Sequence, residues 1–338
     1  MSSFSVRYRS EIGDAIRRSC LNDLNIPFEE ILSATDNFAA ENLIELGSSK
    51  FCRGKLLQSE KIIDILVGEI HEEDMMMLFL LQHENISTIL YCTTNNDYRN
   101  ILFIKKIEVN GSLAENLSAG STLSWTQRLS ICIGVAKALK YIHSSDFLVP
   151  GYHVIHGNIK SSEILLDDNW QPKLQGFESA IVAERNTVHV TSTYKGTLQY
   201  MDPTYEKTGA LTDKSDVFSF GVVLFEVLFG RETTATPTEA QQDDWNFAEF
   251  ARLHWKNKTL KKMIDPNMWN NMDSKSVEIF SNVAYACLTE QREKRPNMDQ
   301  VVRELEESFR LQKNHENSSM VSKTSCSHLQ VINYSYFD

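Results

Sequence analysis

Six cysteines are scattered through 338 residues with no C-x-x-C spacing, so neither a zinc site nor a disulfide framework is expected. Reduced thiols in a cytosolic setting are the simplest reading of that pattern. Long apolar runs are missing too. The longest candidate for a membrane span, VFSFGVVLFEVLFG, is interrupted by Ser219, Gly221 and Glu226. The opening MSSFSVRYRSEIGD has no apolar signal core, and Ser2 stands where myristoylation requires glycine. Positive charge is in deficit: 34 Lys and Arg against 45 Asp and Glu leave a formal net charge of -11, which speaks against nucleic-acid or anionic-membrane binding. These absences point to a soluble, intracellular protein with no membrane span.

What is present is ordinary globular material, 42% hydrophobic and 23% charged. Residues 1–25 read as a charged, loosely ordered extension. Pro27 followed by FEEILSATDNF, with apolar Phe28, Ile31 and Leu32, predicts a short helix. Between 43 and 109 the runs KFCRGKLL, KIIDILVGEI, STILYC and ILFIKKIEV predict strands. One helical segment, EEDMMMLFLLQH, interrupts them, with Met77, Leu78 and Leu81 on a buried stripe. From 121 onward the periodicity becomes helical: Leu129, Ile133, Ala136, Leu139 and Ile142 recur at the helical period, and KSDVFSFGVVLFEVLFG is apolar almost all round. The polar run after 310 predicts a disordered tail over 311–338.

Several spaced motifs resemble the protein kinase superfamily, of the plant receptor-like and receptor-like cytoplasmic type. HGNIKSSEILLDDNWQPKL is similar to a catalytic loop, GTLQYMDPTYEKTGALTDKSDVFSFGVVLFEVLFGR to the end of an activation segment and its following helix, and REKRPNMDQVV to the closing helices. FEEILSATDNF and NGSL match the entry helix and the helix after the hinge. The resemblance implies an α+β, bilobal protein kinase-like fold over 26–310. Residues 26–108 would form the small β-rich lobe and 109–310 the large helical lobe.

The same resemblance exposes what has been replaced, because kinase chemistry rests on a short set of charged groups. ELGSSKFCRG keeps only Gly47 and is too short for a phosphate-covering hairpin. Gly68 falls at the phosphate-binding Lys position, and the partner acid position falls on Asp74. In the catalytic loop His156 and Lys160 remain, but Asn158 replaces the proton-accepting Asp, an amide with no usable basicity. Glu163 replaces the metal-holding Asn and retains ligand capacity. The metal motif reads Gly176, Phe177, Glu178, with the Asp gone and Glu178 expected to face solvent. Counted back from NGSL, Lys105 falls at the back of the nucleotide pocket, and Lys106 and Ile107 at the hinge.

Architectural positions survive. Asp216 is expected to brace the catalytic loop, Gly221 to allow close helix packing, and Trp125 and Trp269 to anchor the large lobe. Arg295 loses the Glu it would pair with, since the triplet is Asp202, Pro203, Thr204, and is expected to need another acceptor.

Together these readings imply a pseudokinase: catalytically inactive, with no catalytic residues, no cofactor and no metal, acting as a scaffold or allosteric partner of an active receptor-like kinase. It would reach the plasma membrane only through such a partner. The alternative is an atypical active Ser/Thr kinase that uses ATP and Mg²⁺ with Lys50 or Lys55 as a displaced lysine, and Glu163 and Glu178 as metal ligands. A third possibility is a phosphorylated switch at Thr187, Thr191, Ser192 or Thr193, next to Arg185 and Lys195.

Overall fold

The computed structural model describes residues 26–332 except 47–48, 59, 72–80, 95–99, 118–121, 145–150, 186, 192–194, 232, 234–245 and 265. Gly47, Asp74, the Met-rich segment over 72–80, Ser192 and Thr193 therefore lie outside the described residues.

Pro27 leads into α1 (Phe28–Ala34), whose first turn carries Glu29 and Glu30 against the positive end of the helix dipole. Its buried Ile31 packs with Leu56, Ile65, Val67 and Ile104 on one face of a five-stranded antiparallel sheet. The strands are β1 (Leu43–Leu46), β2 (Ser49–Gln58), β3 (Lys61–His71), β4 (Tyr91–Thr94) and β5 (Asn100–Lys106), in the order β1-β2-β3-β5-β4. Gly54 lets α1 approach β2 closely: a Cβ there would lie 2.7 Å from the Ala34 carbonyl oxygen. Leu46 pairs with Ser49, which leaves only two residues to join β1 and β2.

The large lobe is helical. After α2 (Leu113–Leu117), Ser124 and Gln127 form a reciprocal capping box at the start of α3 (Trp125–His143). Short strands β6 (Tyr152–Ile155), β7 (Ile164–Leu166), β8 (Pro172–Leu174), β9 (Ile181–Glu184) and β10 (His189–Val190) follow. Next come α4 (Pro203–Thr208), β11 (Ala210–Leu211) and α5 (Asp213–Phe229). The helices α6 (Phe247–Lys256), α7 (Pro266–Trp269), α8 (Ser274–Cys287) and α9 (Met298–Ile332) complete the described chain.

The apolar periodicity of α3 and the all-round apolarity of α5 have their cause in one core. Leu129, Ala136, Leu139 and Ile142 meet Phe220, Phe225 and Phe280 there. A Cβ on Gly221 would sit 2.8 Å from the Cys287 Cβ, so glycine is what permits α5 and α8 to touch. Trp125 is buried, edge-on to Phe280, with its indole N–H donating to the Ser276 hydroxyl. Trp269 is half-buried against the same core. No described helix is long and apolar enough to cross a membrane.

The expectation of a disordered tail over 311–338 is corrected over 311–332, where α9 runs unbroken to Ile332, while 333–338 lie outside the described residues. Its polar residues have helix-side work. Gln312 is 1% exposed, accepts the Asp273 N–H at 2.8 Å and donates to the Asn271 carbonyl at 2.8 Å. Thr126 on α3 donates to Glu316. Ser318 and Ser319 donate to carbonyls four residues back. A polar run that binds the lobe on one side and water on the other has the composition of a loop and the structure of a helix.

Candidate active-site cleft

The cleft lies between the second face of the sheet and the loops over 156–163 and 175–178. Side chains on one face recur every second residue, so the strand register decides what can enter. Phe51, Gly68 and Phe103 form one row across β2, β3 and β5, and Arg53, Leu66 and Lys105 form the next. Phe51 and Phe103 meet edge to face, with ring centroids 6.0 Å apart. They pack over the bare backbone of Gly68: a Cβ built there would lie 2.6 Å from Phe103 Cζ and 2.9 Å from Phe51 Cε1. With Leu66 they form a buried cluster, joined by Ile44, Ile89 and Ile107.

The displaced-lysine candidates do not reach this row. Lys50 is exposed and 3.7 Å from Glu45. Lys55 is exposed and pairs with Asp64, four residues from Gly68 along β3 or about 13 Å at the usual strand rise. The amine that does enter comes from Lys105, on the same face as position 68 and one row along. It is 8% exposed, donates to Gln175 Oε1 at 2.7 Å and lies 4.3 Å over the Phe51 ring. Burial pulls its pKa down to about 8, against the opposing charges of Glu178, Glu163 and Glu108. Sequence reading placed Lys105 at the back of the pocket. That its amine crosses to the other lobe is set by the sheet register.

The loop opposite is braced from below. Asp216 near the start of α5 accepts the His156 N–H at 2.8 Å on Oδ2 and the Gly157 N–H at 2.8 Å on Oδ1. His143 Nε2 lies 2.9 Å from the same Oδ2. Burial alone would raise the Asp216 pKa, but His143 and these backbone donors hold it below the usual carboxylate range. His156 is fully buried. One ring nitrogen, Nδ1, accepts the Asn158 N–H and the other, Nε2, meets the Gln175 carbonyl at 2.9 Å, which fixes the neutral tautomer. Phe177 is buried against the His156 ring at 4.6 Å.

Asn158 accepts the Thr197 hydroxyl on Oδ1 at 3.0 Å. Lys160 Nζ lies 3.6 Å from Glu163 Oε1. Glu163 is 2% exposed, and burial raises its pKa despite Lys160 nearby. Gly176 adopts φ 87°, a left-handed conformation that disfavours any side chain, and a Cβ there would lie 2.9 Å from the Glu163 carboxyl carbon. Glu178 is exposed. The residues do not fit a nucleotide–magnesium complex as kinase chemistry uses one. An aromatic pair covers Gly68, where the resemblance places the lysine, and a Cβ at Gly176, where it places the aspartate, would press on the Glu163 side chain.

Arg295 finds the other acceptor it was expected to need. Its acceptor is Asp202, in the same altered triplet: Nη2 donates to Oδ1 at 2.9 Å, while Nε donates to the Thr289 carbonyl and Nη1 to the Lys214 carbonyl. Arg292, a residue sequence reading passed over, donates to Asp202 Oδ2 through Nε at 2.7 Å. The only signal for it was the repeated basic residue in REKR. Burial would raise the Asp202 pKa, but the bond and charge of Arg295, with Arg292, hold it low. In the segment carrying the proposed phosphosites, Thr187 is exposed and donates to the Glu184 carbonyl. Thr191 is half-buried, 3.4 Å from both the Tyr205 hydroxyl and the Gly209 carbonyl.

The two-lobed fold, the braced loop and the cleft define a protein kinase domain, and the model of that family matches residues 42–305. The chain belongs to the protein kinase domain family. It is similar to two receptor-like protein kinases of Arabidopsis thaliana. HERK 1 is 35% identical over 299 residues, covering 85% of this chain and 35% of the relative. FERONIA is 32% identical over 302 residues, covering 86% of this chain and 33% of the relative. The chain thus spans about a third of the length of the curated relatives it matches.

Proposed function

We propose that this domain is a pseudokinase: it keeps the kinase fold without phosphoryl transfer and acts as a scaffold or allosteric partner of an active receptor-like kinase in the cytoplasm. The observation that carries this reading is the packing at Gly68, where Phe51 and Phe103 fill the space a phosphate-binding lysine needs. Two further losses support it. Asn158 has no basicity for a substrate hydroxyl, and general acid–base assistance contributes about 10²–10⁴ in rate. Gly176 offers no carboxylate for a metal ion. The effects of parts that act together do not add, but all three point the same way.

The partner class follows from relatives named as receptor-like protein kinases and from the acidic net charge, which disfavours nucleic acid. Recruitment to the plasma membrane would then run through that partner. The alternative of an active kinase with a displaced lysine is weakened by the exposed, distant positions of Lys50 and Lys55. A phosphorylated switch remains part of the proposal at Thr187, an exposed residue.

Purified protein incubated with radiolabelled ATP, Mg²⁺ or Mn²⁺ and a generic protein substrate should incorporate no label. Incorporation above a boiled control, abolished by changing Glu163, would establish the active alternative. Thr187 should be modified when an active receptor-like kinase is added, as read by peptide mass spectrometry. Unmodified peptides throughout would end that part.

A further inference from the structure

Positive charge gathers at one corner of this acidic chain. Between Glu249 and Asp265 the sequence carries Arg252, Lys256, Lys258, Lys261 and Lys262 and no carboxylate, in a protein of net charge -11. Arg252 is already engaged, donating to Glu290 Oε1 at 3.0 Å. The four lysines are exposed, and none forms an ion pair among the described residues. Lys261 lies 4.6 Å over the Trp269 ring. The dipole of α6 accounts for Lys256 in its last turn, but the other three lysines lie beyond the helix end. Backbone hydrogen bonds hold this corner in shape. The Asn257 N–H donates to the Leu253 carbonyl at 3.0 Å, Lys258 to Trp255 at 3.1 Å and Thr259 to His254 at 2.9 Å. Lys258 makes the turn at φ 57°, a left-handed conformation more usual for glycine or asparagine. On α6 itself Leu253 is 55% exposed and stands three residues before Lys256, the spacing of neighbours on a helix face.

We propose that this corner, Leu253 with the lysines over 256–262, is a docking surface for an acidic segment of a partner protein that carries an apolar side chain among its carboxylates. Salt confines each surface charge to about 8 Å at physiological ionic strength, so a short segment meets the local lysines rather than the negative charge of the whole chain. A membrane plane or a long nucleic acid would extend past the corner onto acids such as Glu249 and Glu290, which repel it. Leu253 adds a contact that a purely ionic partner would leave in water. The surface shares no residue with the cleft, so the inference holds whether or not the domain transfers phosphate.

Fluorescence anisotropy with a labelled peptide repeating Glu-Leu-Glu-Glu, titrated with the native chain, tests this. Saturable binding is expected, weakened at least about tenfold in Lys256→Gln/Lys258→Gln/Lys261→Gln/Lys262→Gln. Removing the same charge from exposed lysines of the small lobe, in Lys50→Gln/Lys55→Gln/Lys61→Gln/Lys106→Gln, should change the affinity by less than about twofold. Leu253→Ser should weaken the leucine peptide at least about threefold and leave a Glu-Ala-Glu-Glu peptide unaffected. All these side chains are exposed, so the variants are expected to keep the native thermal midpoint. No binding by the native chain, equal losses in the two lysine variants, or indifference to Leu253→Ser overturns the proposal. Vesicles of phosphatidylserine and phosphatidylcholine supply the remaining arm, and the native chain should stay in the supernatant when they are spun down. Sedimentation that the 256–262 variant abolishes would assign the corner to a membrane and overturn the acidic-segment reading. Phosphoryl transfer by the native chain would overturn the pseudokinase reading alone, so the two failures are distinguishable.

Discussion

At position 68, where the resemblance places a lysine, Phe51 and Phe103 pack over a glycine. A lysine could be introduced genetically, yet the space above β3 belongs to two aromatic rings, with atoms 2.6 and 2.9 Å from a new Cβ. Gly68→Lys is therefore expected to lower stability by about 1–3 kcal/mol, as overpacking does, and to leave the protein unable to transfer phosphate. The thermal midpoint checks the first part. A rise instead would show that Phe51 and Phe103 yield easily. His156 makes a second argument at this scale. Both ring nitrogens are engaged in the neutral form, and burial holds its pKa below 6.5. The unfolded chain then binds a proton first as pH falls, so the stability contributed by neutral His156 is full above pH 6.5 and lost below it. Urea unfolding between pH 7 and 5 should show a decline that His156→Gln reduces; an unchanged slope would remove His156 from the account.

Among the elements, the helices of the large lobe were the most legible. The spacing of Leu129, Ala136, Leu139 and Ile142 announced a helix with one buried face, and α3 and its core follow from it. The extent of α9 was not legible, because Gln312 and Glu316 look like tail residues until α3 and the turn before α8 are brought alongside. Gln312→Ala should cost about 1–3 kcal/mol, since it strands the Asp273 N–H and the Asn271 carbonyl. No loss would mean that α9 is not held there. The Asp202 cluster teaches the same lesson. The sequence showed that Thr204 had replaced an acid, but the carboxylate two residues earlier accepts from both Arg292 and Arg295. Asp202→Ala leaves two guanidinium groups facing a buried gap and should cost about 3–5 kcal/mol by chemical denaturation. A loss under about 1 kcal/mol would show that carbonyl acceptors suffice for Arg295.

For the molecule as a whole, the described residues place packed side chains on both sides of the cleft and one buried hydrogen bond across it. Phe51, Leu66 and Phe103 fill one side, Lys105 crosses to Gln175, and Glu163 covers Gly176. If the proposed pseudokinase reading holds, the protein should melt at the same temperature with and without ATP and Mg²⁺, because only binding to the folded form shifts the midpoint. A midpoint that rises with ATP concentration would reveal a pocket where these side chains yield.

The amino-acid sequence by itself determined the fold family and the absence of charge at three positions, because motif order and residue identity are one-dimensional facts: Gly68, Asn158 and Gly176 lack a charge wherever they lie. What those losses became was decided only by tertiary structure. Register across three antiparallel strands set Lys105 beside the vacancy and two phenylalanines over it, and chain reversal brought Arg292 and Arg295 to Asp202. Charge balance in a buried site depends on distances between residues far apart in the chain, and those distances exist only once the chain has folded.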